Sequence, residues 1–370
     1  MDNDIPYLLL TPGPLTTSRG VRAAMQRDLS TWDIDYNAIV ESVRRSIAAI
    51  DGSPETTVVL MQGSGTFGVE ALLGTALPRD GRLLVLSNGA YGRRIAEIAR
   101  RLEIEHEELV FDETSLLEVQ RVAEALDDNP GITHVAAVHC ETTSGMLNPL
   151  EAIGETVTAA GRVFLVDAMS SFGGIPLSLD SLHADFLVSS SNKCLQGVPG
   201  FSFVVARRAA LEATDGQARS LSLDLYDQWR EMEDHGGKWR FTSPTHALCA
   251  LARALEELEE EGGVAARHAR YQDNQQRLVA GMCELGFVPL LPGEFHSPII
   301  TAFLDPDDPR FVFPEFYDQL KARRFVIYPG KVTDRNTFRI GTIGHVFPDD
   351  IDELTDVIRD VGRTAGFIDS

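Results

Sequence analysis

The chain runs to 370 residues, enough to bury a large core and to divide into two domains. Its 33 Lys and Arg stand against 55 Asp and Glu, and the net charge of −22 argues against nucleic acid and anionic membrane as partners. The four cysteines, Cys140, Cys194, Cys249 and Cys283, form no CxxC pair, which speaks against a disulfide framework or zinc site and for a reducing, cytoplasmic setting. The first residues, MDNDIPYLLLTPGP, are acidic and broken by proline, unlike a signal peptide, and no apolar run nears the ~18 residues that cross a bilayer.

Residues 6–17 read as an extended, proline-dense segment, followed by a short helix over 19–27. Ile39, Val43, Ile47 and Ile50 fall at helical spacing and predict a helix over 36–50. A strand over 57–61 leads into Gly63-Ser64-Gly65-Thr66 and then a helix over 67–77, apolar on most faces and so buried. Gly63, Gly65 and Gly68 match the dinucleotide pattern GxGxxG, but that fingerprint also needs an acid at the end of the next strand. The next strand, 83–86, ends in Ser87-Asn88-Gly89, so the nicotinamide reading weakens. What remains is a helix N-terminus whose backbone amides favour a phosphate, with hydroxyls from Ser64 and Thr66.

Tyr91 lies at the mouth of the same crevice, where its ring either stacks on a flat ligand or closes the edge of the core. The helix after Gly92 carries Ile95, Ile98, Ala99 and Leu102 on one face, and another helix lies at 116–126. A strand over 134–138 ends in His139-Cys140-Glu141-Thr142-Thr143-Ser144-Gly145, where a lone histidine is more often a satisfied core residue than a ligand.

Two apolar runs, 163–166 and 186–188, read as buried strands of a parallel sheet. The first ends on Asp167 and the second on Ser189-Ser190-Ser191-Asn192-Lys193. Strands alternating with helices, each ending in polar residues, indicate an α/β, doubly wound sheet whose ligands sit outside the carboxyl ends of the strands. An Asp and a Lys at neighbouring strand ends suit pyridoxal 5'-phosphate. The Lys carries it as a Schiff base, and the carboxylate keeps the pyridine nitrogen protonated so that the ring acts as an electron sink. As isolated residues the pair also fits a helix-capping Asp and a surface Lys. Cys194 and the turn Gly197-Val198-Pro199-Gly200, however, put Lys193 in a tight, uncharged loop.

Residues 211–239 turn polar, and a helix over 244–261 ends in an acidic run. Gly262-Gly263 then breaks the chain, which sets a large domain at 1–262 and a small α+β domain at 263–370. A helix over 264–285 opens the small domain, followed by strands at 299–304, 325–328 and 337–340 and helices at 314–322 and 349–361. Arg339, between Phe338 and Ile340, either forks a carboxylate or phosphonate or sits in a structural ion pair. GxxxxGK[ST], HExxH and GxSxG are absent, which leaves the Lys–Asp pair as the concentrated chemistry.

The blocks LLLTPGPLTTS, QGSGTFGVEA, SNGAYGRR, HCETTSGMLNP, DAMSSFGGIP, SSSNKCLQGVPGF, SLDLYDQWREMEDHGGKWRFTSPTHAL, YPGKVT and FRIGTIG together resemble class V aminotransferases of fold-type I, over nearly the whole chain. The resemblance implies a large domain with a mainly parallel sheet flanked by helices, and a small C-terminal α+β domain. It implies pyridoxal 5'-phosphate as cofactor and, in phosphonate catabolism, amino transfer from 2-aminoethylphosphonate to pyruvate. Lys193 then corresponds to the Schiff-base lysine and Asp167 to the partner of the pyridine nitrogen. Ser64, Gly65 and Thr66 match the phosphate cup, Tyr91 the stacked ring, Thr142 the position near the phenolic oxygen, and Asn192 the residue before the lysine. Arg339 matches the arginine that takes the acidic end of both substrates. A homodimer with shared active sites is also implied, in which Thr242 reaches the cofactor phosphate of the second copy. Ser144 departs from an expected Thr, and Thr342 and His345 follow Arg339 at the border of the substrate pocket. Related readings stay open: an alanine– or serine–glyoxylate aminotransferase, a lyase on a substituted aminophosphonate, a desulfurase with Cys194 as its thiol, and a non-catalytic sensor.

Overall fold

Val58 and Leu60 pack on one face of a central sheet and Val59 and Met61 on the other, and the same alternation holds for Leu84 and Leu86 against Leu83 and Val85. The period of two is that of strands buried on both faces. The computed structural model describes residues 6–330, 332 and 334–369, so Lys331 and Thr333 of the YPGKVT block lie outside the described residues.

The sheet has seven strands: β1 (Thr56–Gln62), β2 (Arg82–Ser87), β3 (Glu105–Val110), β4 (His134–Val138), β5 (Val163–Asp167), β6 (Phe186–Ser190) and β7 (Phe201–Arg207). Their order across the sheet is β1-β7-β6-β5-β4-β2-β3. The neighbours from β6 to β3 are parallel, and β7 runs antiparallel to both β6 and β1. The sheet is therefore mixed and mostly parallel. The sequence reading missed two of these strands. β3 is a polar edge strand, EHEELV, with no apolar run. β7 follows directly on the Gly197-Val198-Pro199-Gly200 turn and is buried along almost its whole length.

Helices Ile34–Asp51, Val119–Asp128, Leu150–Ala159 and Thr245–Glu261 bury their apolar faces on one side of the sheet. On the other side lie α1 (Gly65–Ala76), α2 (Ala90–Arg101) and the helix Leu225–Asp234. That last helix falls within the stretch read as merely polar. Leu225, Trp229 and Met232 are buried at helical spacing, and Trp229 Nε1 donates to Thr57 Oγ1 at 2.9 Å.

Gly262, at φ 107°, ends the helix Thr245–Glu261, and the 22-residue helix Gly263–Glu284 starts at once. Beyond it, β8 (Ile300–Leu304), β9 (Tyr328–Pro329) and β10 (Thr337–Gly341) form an antiparallel sheet in the order β8-β10-β9. Phe287, Phe303, Phe311, Phe316 and Phe338 fill a second core, with Phe303 and Phe338 stacked at 5.7 Å. Residues from the far end of the chain join it. Leu8–Leu9 pairs in parallel with Phe325–Val326, and Leu8 and Leu10 are buried in this core.

The turn 142–145 lies against β8 of the smaller sheet. Gly145, at φ 87°, accepts from Ser297 N–H at 2.8 Å through its carbonyl, and a Cβ there would stand 2.5 Å from the Ile300 carbonyl oxygen. Both the left-handed backbone and the close approach require glycine. Gly145→Ala is expected to cost roughly 2–4 kcal/mol and to lower the thermal midpoint; an unchanged midpoint would contradict this contact.

Candidate active site

Strands β1, β2, β4, β5 and β6 point the same way, so their carboxyl ends share one edge of the sheet. Register sets Asp167, the last residue of β5, between Val138 of β4 and Val188 of β6. Lys193 follows three residues after β6 ends. The resulting cavity of about 200 Å³ is lined by Ser64, Gly65, Thr66, Tyr91, Asp167, Asn192 and Lys193, seven residues that the sequence reading had singled out.

The start of α1 forms one end of the cavity, and its unpaired backbone amides suit an anion. Ser64 is its N-cap residue, and the Ser64 side chain makes no capping hydrogen bond, which leaves the hydroxyl for a ligand. A Cβ on Gly65 would sit 2.3 Å from Met169 Sδ, so a larger residue there would displace that side chain. Two further hydroxyls, Thr142 Oγ1 and Ser190 Oγ, are buried without a hydrogen-bond partner. A buried hydroxyl left unmatched costs on the order of 1–3 kcal/mol; Ser190 lines the cavity, whereas Thr142 lies outside its lining, beside Arg339.

Asp167 is buried, its Oδ1 accepting from Met169 N–H at 2.9 Å. Loss of hydration pushes its pKa up to about 6; the Met169 amide opposes the shift and the nearby charge of Glu141 adds to it. Burial also draws the Lys193 amine below the usual lysine range, against the pull of Cys194 and Asp167. Lys193 Nζ donates to the Pro12 carbonyl at 2.7 Å. Gly13, at φ 116°, lets the chain pass over it, because a Cβ there would lie 2.6 Å from Lys193 Cδ.

Arg339, on β10, is 2% exposed and has no carboxylate within ion-pair distance among the described residues. Its Nη1 donates to the Thr142 carbonyl at 2.8 Å and its Nε to the Pro329 carbonyl at 3.0 Å, with Tyr328 beneath the guanidinium. The structural ion-pair alternative therefore fails, and a buried guanidinium held only by carbonyls retains charge for an anion.

Thr242 is not brought to this cavity. It is exposed and lines a separate groove with Gly63, Phe67 and Phe241. Thr342 donates its hydroxyl to the Pro298 carbonyl at 2.8 Å, and His345 sets its ring against Phe347 at 4.9 Å; neither lines the cavity. Cys194 is buried with its thiol on the Ser170 carbonyl, and burial pushes its pKa up to about 12, which denies a desulfurase its thiolate.

Two residues that the sequence reading passed over join the site. Arg94, one turn after Tyr91 on α2, also lines the cavity. Glu141 is fully buried and accepts from Tyr91 N–H at 3.1 Å and from Thr143 Oγ1 at 2.5 Å, so it ties the β2 end to the β4 end. The only signal for Glu141 was an acid standing alone among hydroxyls. Among the described residues no cluster of His, Cys, Asp or Glu could hold a metal, and no helix is long and apolar enough to cross a membrane.

The family model for aminotransferase class-V matches residues 16–305. The chain is 60% identical over 362 residues to a 2-aminoethylphosphonate–pyruvate transaminase of Syntrophobacter fumaroxidans, covering 98% of each chain. It is 56% identical over 355 residues to the transaminase of the same name from Salmonella typhimurium, covering 95% of this chain and 97% of that one. The ureidoglycine–glyoxylate aminotransferase of Bacillus subtilis superposes with a TM-score of 0.90 over 98% of this chain and 95% of that one; at 20% identity it speaks for the fold.

An acid whose pKa is raised on folding binds its proton more tightly in the folded chain, so it takes stability away as pH climbs from about 4 through about 6. Asp167→Asn, tested without ligand, is expected to be more stable than the parent at pH 8 by roughly 2–3 kcal/mol and equal to it near pH 4. Thermal unfolding at both values checks this, and a less stable variant at pH 8 refutes it.

Proposed function

The chain belongs to the class V aminotransferases, and from that membership we propose that it moves the amino group of 2-aminoethylphosphonate to pyruvate, giving phosphonoacetaldehyde and alanine. The observation that carries this reading is one cavity holding Lys193 and Asp167 at adjacent strand ends beside a hydroxyl-and-amide cup, with Arg339 outside its lining but near enough for its charge to act on Lys193.

The residues present fit pyridoxal 5'-phosphate. Ser64, Gly65 and Thr66 suit its phosphate, Asp167 a protonated ring nitrogen, and the orphaned Thr142 and Ser190 hydroxyls its other oxygen and edge. When bound, the cofactor supplies an electron sink for the charge left as a proton leaves the carbon that bears the amine. Asp167 sits where a cationic nitrogen would relieve its burial, and Tyr91 where a ring would find a stacking face. Asn192 lines the wall beside the lysine. Lys193 Nζ, drawn toward its neutral form by burial, takes the proton from the amine-bearing carbon of one substrate and returns one to the keto carbon of the other. Arg339 forks the phosphonate of the first substrate and then the carboxylate of the second, because one planar guanidinium serves both.

We also propose that the enzyme is a dimer. Exposed Phe67 and Phe241 flank Thr242 in a groove apart from Lys193, a face suited to a second copy whose cup Thr242 would complete. The proposed domains are 1–262 and 263–370; the separate sheets on either side of 262–263 support that division, although Leu8 and Leu10 pack into the core of the smaller unit.

Purified protein loaded with cofactor is expected to convert 2-aminoethylphosphonate to its aldehyde and to form alanine only when pyruvate is added. Ammonia released without pyruvate would make it a lyase. Lys193→Ala should lose at least about 10³-fold in turnover. Arg339→Lys should raise KM for both substrates by about 10–100-fold; a change for one substrate alone would refute the shared role.

A further inference from the structure

Arg94 is a cation of the crevice that the reaction above does not use. Its neighbour Arg93 points outward and pairs with Glu113 at 2.6 Å, whereas Arg94 makes no ion pair among the described residues. Its guanidinium lies over the Tyr91 ring, 4.9 Å from the centroid, with Nη1 3.5 Å from Thr66 Oγ1. That contact is too long to satisfy a charged donor, so the fork remains open on the cavity side.

The position of Arg94 selects its ligand. Thr66 belongs to the cup at the start of α1, while Arg339 is held by the Thr142 and Pro329 carbonyls. The cup itself offers only hydroxyls and amide dipoles, yet a phosphate monoester carries between one and two negative charges near pH 7. In a chain of net charge −22 such a group needs a full positive charge close by. Lys193 is committed to the amine chemistry. We infer that Arg94 is the counter-charge of the cofactor's phosphate, reaching it past Thr66, and that it sets how tightly the cofactor is held. This rests on the pyridoxal phosphate reading above.

The test separates the phosphate from the ring. Resident cofactor is removed, and dissociation constants for pyridoxal phosphate and for pyridoxal, which lacks the phosphate, are measured by absorbance titration for the parent, Arg94→Gln and Arg94→Lys. Arg94→Gln is expected to weaken pyridoxal phosphate about 10–100-fold and to leave pyridoxal unchanged, with Arg94→Lys between the two. Equal weakening of both ligands would show that Arg94 only supports the Tyr91 ring, and overturn the inference. So would an unchanged affinity for pyridoxal phosphate with a raised KM for 2-aminoethylphosphonate, which would assign Arg94 to the substrate. A parent chain that binds neither ligand overturns the cofactor reading itself, and this inference with it.

Discussion

Two ionisable side chains end adjacent strands in a largely apolar interior, and they do not neutralise each other. Asp167 and Lys193 lie close enough for each to feel the other's field, yet no ion pair forms between them. Burial therefore dominates, lifting the carboxylic acid and depressing the amine. Groups in that condition relax unless their surroundings over-determine them. The Met169 amide fixes the carboxylate, the Pro12 carbonyl fixes the amine, and the sheet register fixes the distance between the strands that carry them. The two cores supply the stability that this unrelieved charge costs.

The second core matters to the site because it delivers residues that the first cannot. Along β10 the side chains alternate, so Phe338 and Ile340 enter the aromatic core while Arg339 faces the other way, toward Thr142. The same strand holds the amino-terminal segment: Gly341 N–H donates to the Leu10 carbonyl at 2.9 Å, and a Cβ on Gly341 would stand 2.6 Å from the Thr11 carbonyl. Two residues on, Pro12 meets Lys193. A single strand thus positions both the arginine and the carbonyl that holds the lysine, and a shift of the smaller unit would move both at once.

How much of this was legible depended on whether the signal was local. Buried runs such as 163–166 and 186–188 declare themselves because a strand covered on both faces reads as continuous apolar sequence. β3 did not, since an edge strand of alternating acids looks like a loop, and the helix Leu225–Asp234 was hidden by charges on its outer face. The parallel pairing of Leu8–Leu9 with Phe325–Val326 joins segments over 300 residues apart, and no periodicity encodes it. At the site, strand-end residues were found because topology sends strand ends to one place. Glu141 and Arg94 escaped because their placement at the site comes from what lies opposite them. Gly89 and Glu141 make the point: a Cβ on the first would fall 2.3 Å from the carboxyl carbon of the second, a fit that exists only once β2 and β4 are side by side.

Net charge is the property that most misdirects a reading of ligands here. At −22 the chain repels anions at long range, yet with a Debye length of about 8 Å at physiological salt only nearby charges act on a ligand inside the crevice. What counts is how the acids are spent. Across the surface they occupy the arginines: Arg253 meets Glu256, Glu257 and Glu260, Arg100 meets Glu97, and Arg277 meets Asp273 and Asp352. Exposed Arg27, Arg45 and Arg79 also lack an ion pair among the described residues, so it is burial that sets Arg339 and Arg94 apart. Arg339 is sealed behind β10 with only carbonyls for company, and Arg94 is turned inward beside an arginine that did find its acid. Guanidinium groups held apart in this way keep their charge, and that isolation leaves an acidic protein with two unpaired cations at or near its crevice.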